Sequence, residues 1–113
     1  MSQDCIFCKI ANGDIGTAFV AENHDAVAFR DINPRAPLHV LVIPRVHIDS
    51  LASASDDALL GSLLGLVARI AREEGVAESG YRVVINTGED GGQTVPHLHL
   101  HLLAGRHMDW PPG

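Results

Sequence analysis

The stretch Pro96-His97-Leu98-His99-Leu100-His101-Leu102-Leu103 decides how the chain reads. A β-strand turns successive side chains to opposite faces. The alternation therefore predicts a strand with His97, His99 and His101 on one face, and with Leu98, Leu100 and Leu102 pointing into a core. A merely solvated face has no need of three imidazoles. Each ring has two nitrogens to place, and each titrates near neutral pH. Metal ligation, proton transfer and nucleophilic attack are the uses that fit.

Immediately before this strand lies Gly88-Glu89-Asp90-Gly91-Gly92-Gln93-Thr94. Consecutive glycines let backbone N–H groups converge on an anion, and Thr94 adds a hydroxyl. A hairpin turn would account for the loop taken alone. Its position three residues before His97 favours a phosphate held beside the imidazoles. The loop leads into a strand rather than a helix, so it is not a Walker-type loop.

Further out, Asp4 is placed to cap a short helix over Cys5–Asn12 that Gly13 ends. Thr17–Glu22 and Ala26–Asp31 read as strands joined by the turn Asn23-His24-Asp25. Leu38–Ile43 reads as an apolar strand stopped by Pro44. Ser53 or Ser55 could cap a long helix over Asp56–Glu74, with Gly75 as its stop. Leu59, Leu60, Leu63, Leu64, Val67 and Ile70 give that helix a broad apolar face, which covers the sheet or serves a partner subunit. Tyr81–Asn86 is a further strand. The order predicts an α+β fold: a five-stranded, mostly antiparallel sheet with one long and one short helix. A single domain over residues 1–113 is expected, with 104–113 as a C-terminal tail.

The 113 residues are 46% hydrophobic but only 4% aromatic, so Ile, Val, Leu and Ala must supply the burial. Eight basic against fourteen acidic residues give a charge of −6. The basic residues are dispersed, which argues against a nucleic-acid footprint. No run approaches the roughly twenty apolar residues of a membrane helix. Met1-Ser2-Gln3-Asp4 opens no secretory signal, so a cytoplasmic location is expected.

Cys5 and Cys8 form a C-x-x-C pair, half of a tetrahedral zinc site. All seven histidines are candidates for the remaining ligands: His24, His39, His47, His97, His99, His101 and His107. His47 and His97 could complete a closed site without using the centre of the triad. The alternative is a pair of thiols on a short helix. His99, with a histidine on either side, is the natural nucleophile. Its second nitrogen must then be held by an acceptor.

The run His97–Leu103 resembles the signature of the histidine-triad (HIT) family. Similarity extends to Cys5–Ile10, Phe29–Ile32, Pro37–Pro44, Asn86, Gly91–Thr94 and Trp110–Gly113, and points to the nucleotide-binding branch. The resemblance implies a homodimer whose sheets join into one, with the long helix at the interface. It also implies binding of purine nucleoside monophosphates and hydrolysis of nucleoside 5′-phosphoramidates to release AMP or GMP. His99 matches the nucleophile that forms a nucleotidyl-histidine, His101 the histidine beside the phosphate, and His39 a supporting histidine. Asn86, Gly92 and Thr94 match phosphate-side contacts, and Gln93 shares their loop. Asp31 matches the ribose carboxylate. Ile6, Phe7, Ile10, Phe29 and Ile32 match the base pocket, and Trp110 is a candidate contact to the leaving group. Zinc-bearing relatives use the positions of Cys5, Cys8, His47 and His97.

His101 stands where nucleotide-transferring relatives have glutamine, which favours hydrolysis. Thr94 replaces a common serine, and Pro96 removes one N–H before the triad. Either departure bears on the choice of amine leaving group. The competing expectations are a dinucleoside polyphosphate hydrolase and a nucleotide-binding interaction module.

Overall fold

The computed structural model describes residues 4–113. A short helix, α1 (Ile6–Ala11), precedes strands β1 (Ala21–Glu22), β2 (Ala26–Arg30) and β3 (Leu38–Pro44). A 3-10 turn, Leu51–Ser53, leads to the long helix α2 (Asp57–Glu73), followed by β4 (Tyr81–Val84) and β5 (Leu100–Ala104). The strands form one five-stranded sheet in the order β1-β2-β3-β5-β4, with every neighbouring pair antiparallel. The α+β architecture is the one expected.

Alternation sorts the central strands onto two covered faces. Ala26, Ala28, Leu38, Val40, Val42, Leu100 and Leu102 meet Leu63, Leu66, Val67 and Ile70 of α2. The two alanines of β2 leave room for the helix to approach closely. On the opposite face Val27, Phe29, Leu41 and Ile43 pack with Phe7, Ile10 and Ala11 of α1. Burial of both faces explains why β3 is a continuous apolar run interrupted only by His39.

Several boundaries differ from the sequence reading. Cys5, not Asp4, caps α1, and its Sγ accepts from the Cys8 amide. Asp56, not Ser53 or Ser55, caps α2 by accepting from the Leu59 amide; Ser53 belongs to the 3-10 turn capped by Ser50. Thr17–Val20 are not strand, Asp31 lies beyond β2, and Ile85 and Asn86 lie beyond β4. Ala104 closes β5 instead of opening the tail. Leu66 joins the buried face of α2, whereas Leu64 is 49% exposed.

The histidine strand is shorter than its pattern because of Pro44. Continuing the β3–β5 register beyond Val42 and Leu100 would set Leu98 opposite Pro44, which has no N–H to give. The Leu98 carbonyl thus finds no ladder donor, the Pro44 carbonyl accepts from His97 Nε2 at 3.1 Å, and the Leu98 amide donates to the Ile48 carbonyl at 2.7 Å. Ladder pairing starts at Leu100, so His97 and His99 lie just outside it. Their side chains still alternate with Leu98, which is buried in the α2 core.

Candidate functional site

The histidines divide into two clusters on the α1 side of the sheet. The first joins His97 to Cys5, Cys8 and His47. His97 Nδ1 lies 3.2 Å from Cys5 Sγ and 3.5 Å from Cys8 Sγ, and His47 Nδ1 lies 3.3 Å from Cys8 Sγ. All four potential ligand atoms fall within 4.8 Å of one another. Both rings have their far nitrogens occupied. His97 Nε2 donates to the Pro44 carbonyl at 3.1 Å, and His47 Nε2 donates to Asp49 Oδ1 at 2.7 Å. Each therefore turns an Nδ1 lone pair toward the thiols, as a metal-ligating imidazole with a second partner does. Two sulfurs and two such nitrogens fit a closed tetrahedral zinc site.

The second cluster contains His99, His101, His39 and Asp31. His99 Nδ1 donates to the carbonyl of His97 at 2.8 Å. That bond fixes the tautomer and leaves the Nε2 lone pair available. Phe7 of α1 packs edge-on against this ring, with centroids 5.1 Å apart, and so holds its plane.

His101 is poised the other way. The Arg35 amide donates to His39 Nδ1 at 3.0 Å, so neutral His39 carries its proton on Nε2. That nitrogen lies 2.9 Å from His101 Nδ1 and donates to it. His101 must then carry its own proton on Nε2. Register explains the meeting: Leu41 lies opposite His101 and Leu103 opposite His39, so the two histidines are diagonal neighbours on one face. Burial, then the charges of His99 and His39, push the His101 pKa down to about 4, against the opposing pull of Asp31. Burial also lowers the pKa of His39, partly offset by Asp31, whose Oδ2 lies 3.4 Å from Nε2. Neutral pH thus finds His101 uncharged.

Beside this cluster is a cavity of about 410 Å³. Ile6, Phe7, Ile10, Phe29, Asp31 and Ile32 line it, together with Thr94, His99 and His101. It is apolar on the α1 side and polar at the histidines, a lining suited to a ligand with a flat apolar part and a charged part. Thr17, Arg30, Asn33, Leu41 and Val95 also line it and were not singled out from the sequence. Leu41 had a signal, since it follows His39 by two positions in one strand. Thr17 and Val95 come from irregular segments and had none.

Asn86, Gly92, Gln93 and Trp110 do not line this cavity. Asn86 Nδ2 donates to the Gly91 carbonyl at 2.7 Å, bracing the glycine loop. A side chain at Gly91 would put its Cβ 2.3 Å from the Thr87 carbonyl oxygen, so the turn requires glycine there. Gln93 uses its side chain within the loop and against the 47–49 segment. Trp110 is 80% exposed. His24 and His107 stand apart from both clusters at exposed positions.

An antiparallel α+β sheet that sets alternate histidines between a thiol cluster and a ligand-sized cavity defines a histidine-triad fold. The chain belongs to the HIT family, and the match to the HIT domain runs over residues 12–108. A solved HIT family hydrolase from Legionella pneumophila is 49% identical and superposes with a TM-score of 0.93, covering 97% of this chain and 100% of that one. A histidine triad nucleotide-binding protein from Candida albicans is 33% identical with a TM-score of 0.83, covering 96% and 83% of the two chains. A 14 kDa zinc-binding protein of Zea mays is 49% identical over 96% of this chain and 87% of its own length. Among the described residues no helix is long and apolar enough to cross a membrane.

Proposed function

We propose that the protein hydrolyses purine nucleoside 5′-phosphoramidates in the cytoplasm, as a zinc-bearing homodimer. The observation that carries this reading is the bond from His99 Nδ1 to the His97 carbonyl, which leaves a nucleophilic Nε2 beside the cavity. Ile6, Phe7, Ile10, Phe29 and Ile32 receive the base, and Asp31 faces the ribose hydroxyls. The phosphoryl group sits between the triad and the glycine loop, near Asn86, Gly92 and Thr94.

The His99 Nε2 lone pair attacks phosphorus. The P–N bond breaks, the amine leaves with a proton taken up from solvent, and the nucleotidyl group stays on His99. Water then adds to phosphorus and gives up a proton to solvent, the bond to His99 breaks to return the neutral ring, and the nucleoside monophosphate departs. His101, neutral with its proton on Nε2, donates a hydrogen bond to a phosphoryl oxygen as charge builds there. His39 keeps that proton in place through its own bond to His101 Nδ1.

Cys5, Cys8, His47 and His97 would hold zinc, which supplies a cross-link between α1, the 45–49 segment and the triad strand. The hydrolase, nucleotide-binding and zinc-binding descriptions of the three relatives support the respective parts of this reading. For the homodimer, the supporting feature is an apolar recess of about 190 Å³ whose lining includes Leu51, Leu60, Ile85 and the exposed Leu64. A second copy would cover it and bring a tail with Trp110 near the site.

The test is steady-state release of AMP from adenosine 5′-phosphoramidate. Turnover by wild type that is lost in His99→Ala is the expected result. A folded wild type that binds AMP yet turns over no phosphoramidate would overturn the reading.

A further inference from the structure

Gln93 is held more completely than a ligand contact needs to be. Its Oε1 accepts from the Gly88 amide at 3.0 Å. Its Nε2 donates to the Asp49 carbonyl at 2.7 Å and to the Val95 carbonyl at 2.9 Å. Only one orientation of the amide satisfies all three partners, because the opposite one would set Oε1 against two carbonyl oxygens. Both amide protons are therefore taken, and none remains for a ligand. The Gln93 amide N–H also donates to the Gly88 carbonyl, so the residue closes the base of the Gly88–Gln93 turn from both ends.

The partner at Asp49 gives this clasp its meaning. Asp49 Oδ1 accepts from His47 Nε2, and His47 Nδ1 faces the thiols. One residue earlier, the Ile48 carbonyl accepts from Leu98. The 47–49 segment is exposed except for half-buried Ile48. Ile48 packs against the α2-side core and its carbonyl holds Leu98; the two polar ties of the segment run through His47 at the thiol cluster and through Gln93 at the glycine loop. A metal that immobilises His47 thus fixes the carbonyl from which the loop hangs.

We propose that Gln93 is a positioning residue that carries the occupancy of the Cys5–Cys8–His47–His97 site to the Gly88–Thr94 loop. The proposal rests on the zinc and nucleotide sites of the preceding reading. Coupling between two sites is reciprocal. Zinc should tighten the grip of the loop on a nucleotide phosphate, and the nucleotide should tighten zinc by the same factor.

The experiment titrates AMP into zinc-loaded and chelator-stripped protein by calorimetry, and zinc into stripped protein with and without AMP. Wild type is expected to show a reciprocal coupling of about 5- to 10-fold, toward the low end of site-to-site coupling. Gln93→Met keeps the volume of the side chain and removes its hydrogen bonds. It is expected to bind AMP about as weakly as stripped wild type, to bind zinc normally and to show no coupling. Side-chain amide protons of Gln93 in wild type, followed by ¹H–¹⁵N NMR, should exchange slowly with zinc and fast without it.

Equal AMP affinity in loaded and stripped wild type overturns the proposal. So does full coupling in Gln93→Met, which would assign the route to the His97 carbonyl and His99. If stripping unfolds the chain, or the variant does not fold, the amide exchange of loaded wild type with and without AMP decides: no change on AMP binding overturns it. Failure to bind zinc or AMP at all refutes the site reading itself, and is seen directly in the same titrations.

Discussion

The two histidine clusters use one side chain for opposite ends, and the difference lies in which ring nitrogen a fixed acceptor claims. In the thiol cluster, Nε2 of His97 is tied to the Pro44 carbonyl and Nε2 of His47 to Asp49, so both turn Nδ1 toward sulfur. In the cavity cluster His99 has Nδ1 tied to the His97 carbonyl, so Nε2 is open. His97 serves both, its ring in one cluster and its carbonyl in the other. Residue type sets what a side chain is able to do, and the second hydrogen bond of the ring selects which of those things it does.

The sharpest way to break this division is His99→Ala. Loss of a covalent nucleophile is expected to lower kcat by about four orders of magnitude. Zinc content, measured by atomic absorption on the same sample, should stay at the wild-type level. A variant that lost zinc along with turnover would mean that the clusters are one unit. The next largest effect should come from the other side. Cys8→Ser, or chelation of wild type, is expected to lower Tm by about 10 °C or more, because a metal bound only by the folded state stabilises it. Calorimetric scans with and without chelator check this, and a chelator-insensitive Tm would remove zinc from the stability of the fold.

Smaller still is the effect of the outer partner of a ligand. Asp49 holds His47 in the tautomer that turns Nδ1 inward. Asp49→Ala should weaken zinc by about 10-fold, the lower end for loss of such a partner. Competition with a chromophoric chelator reads that factor. An unchanged affinity would show that packing alone orients His47.

These distinctions explain how much of the molecule was legible in the sequence. Period-two alternation from Leu98 to Leu102 identified the core face; the C-x-x-C pair left all seven histidines as candidates, and the family resemblance singled out His47 and His97, which lie against the thiols. The boundary of the strand was not legible. It depends on Pro44, a residue distant in sequence that has no N–H at the place where the ladder would continue. Asp4 read as the cap with Cys5 inside the helix, whereas Sγ of Cys5 lies beside the Cys8 amide and takes that role. The base-pocket positions came from resemblance and line the cavity, whereas Thr17 and Val95 reach it through irregular loops that no periodicity marks. The choice of ring nitrogen was hidden altogether, since it is made by the carbonyls of Pro44 and His97, the Arg35 amide and the Asp49 carboxylate. Gln93 was placed among ligand contacts by its neighbours, and the three-way hold on its side-chain amide was not legible in the sequence.

The last test uses pH to separate the clusters. Burial and the neighbouring imidazoles hold the folded His101 near pKa 4, below the ordinary 6.5 of an unfolded chain. Between those values the unfolded state binds the extra proton and the folded state does not. Stability therefore rises with pH across that window and is lost as pH falls from about 6.5 toward about 4. Above about 6.5 this contribution is complete, and below about 4 it changes no further. His39, and His97 of the thiol cluster, shift in the same direction by burial and add to the slope, so the ring tautomers carry the separation. Denaturant unfolding at a series of pH values should show the loss, and His101→Gln, which cannot titrate, should flatten it. Ring ¹⁵N shifts give the microscopic check: near neutral pH His101 should carry its proton on Nε2 while His99 carries its own on Nδ1. Opposite tautomers on two histidines of one alternating run are what the backbone bonds demand, and matching tautomers would refute the division between proton donor and nucleophile.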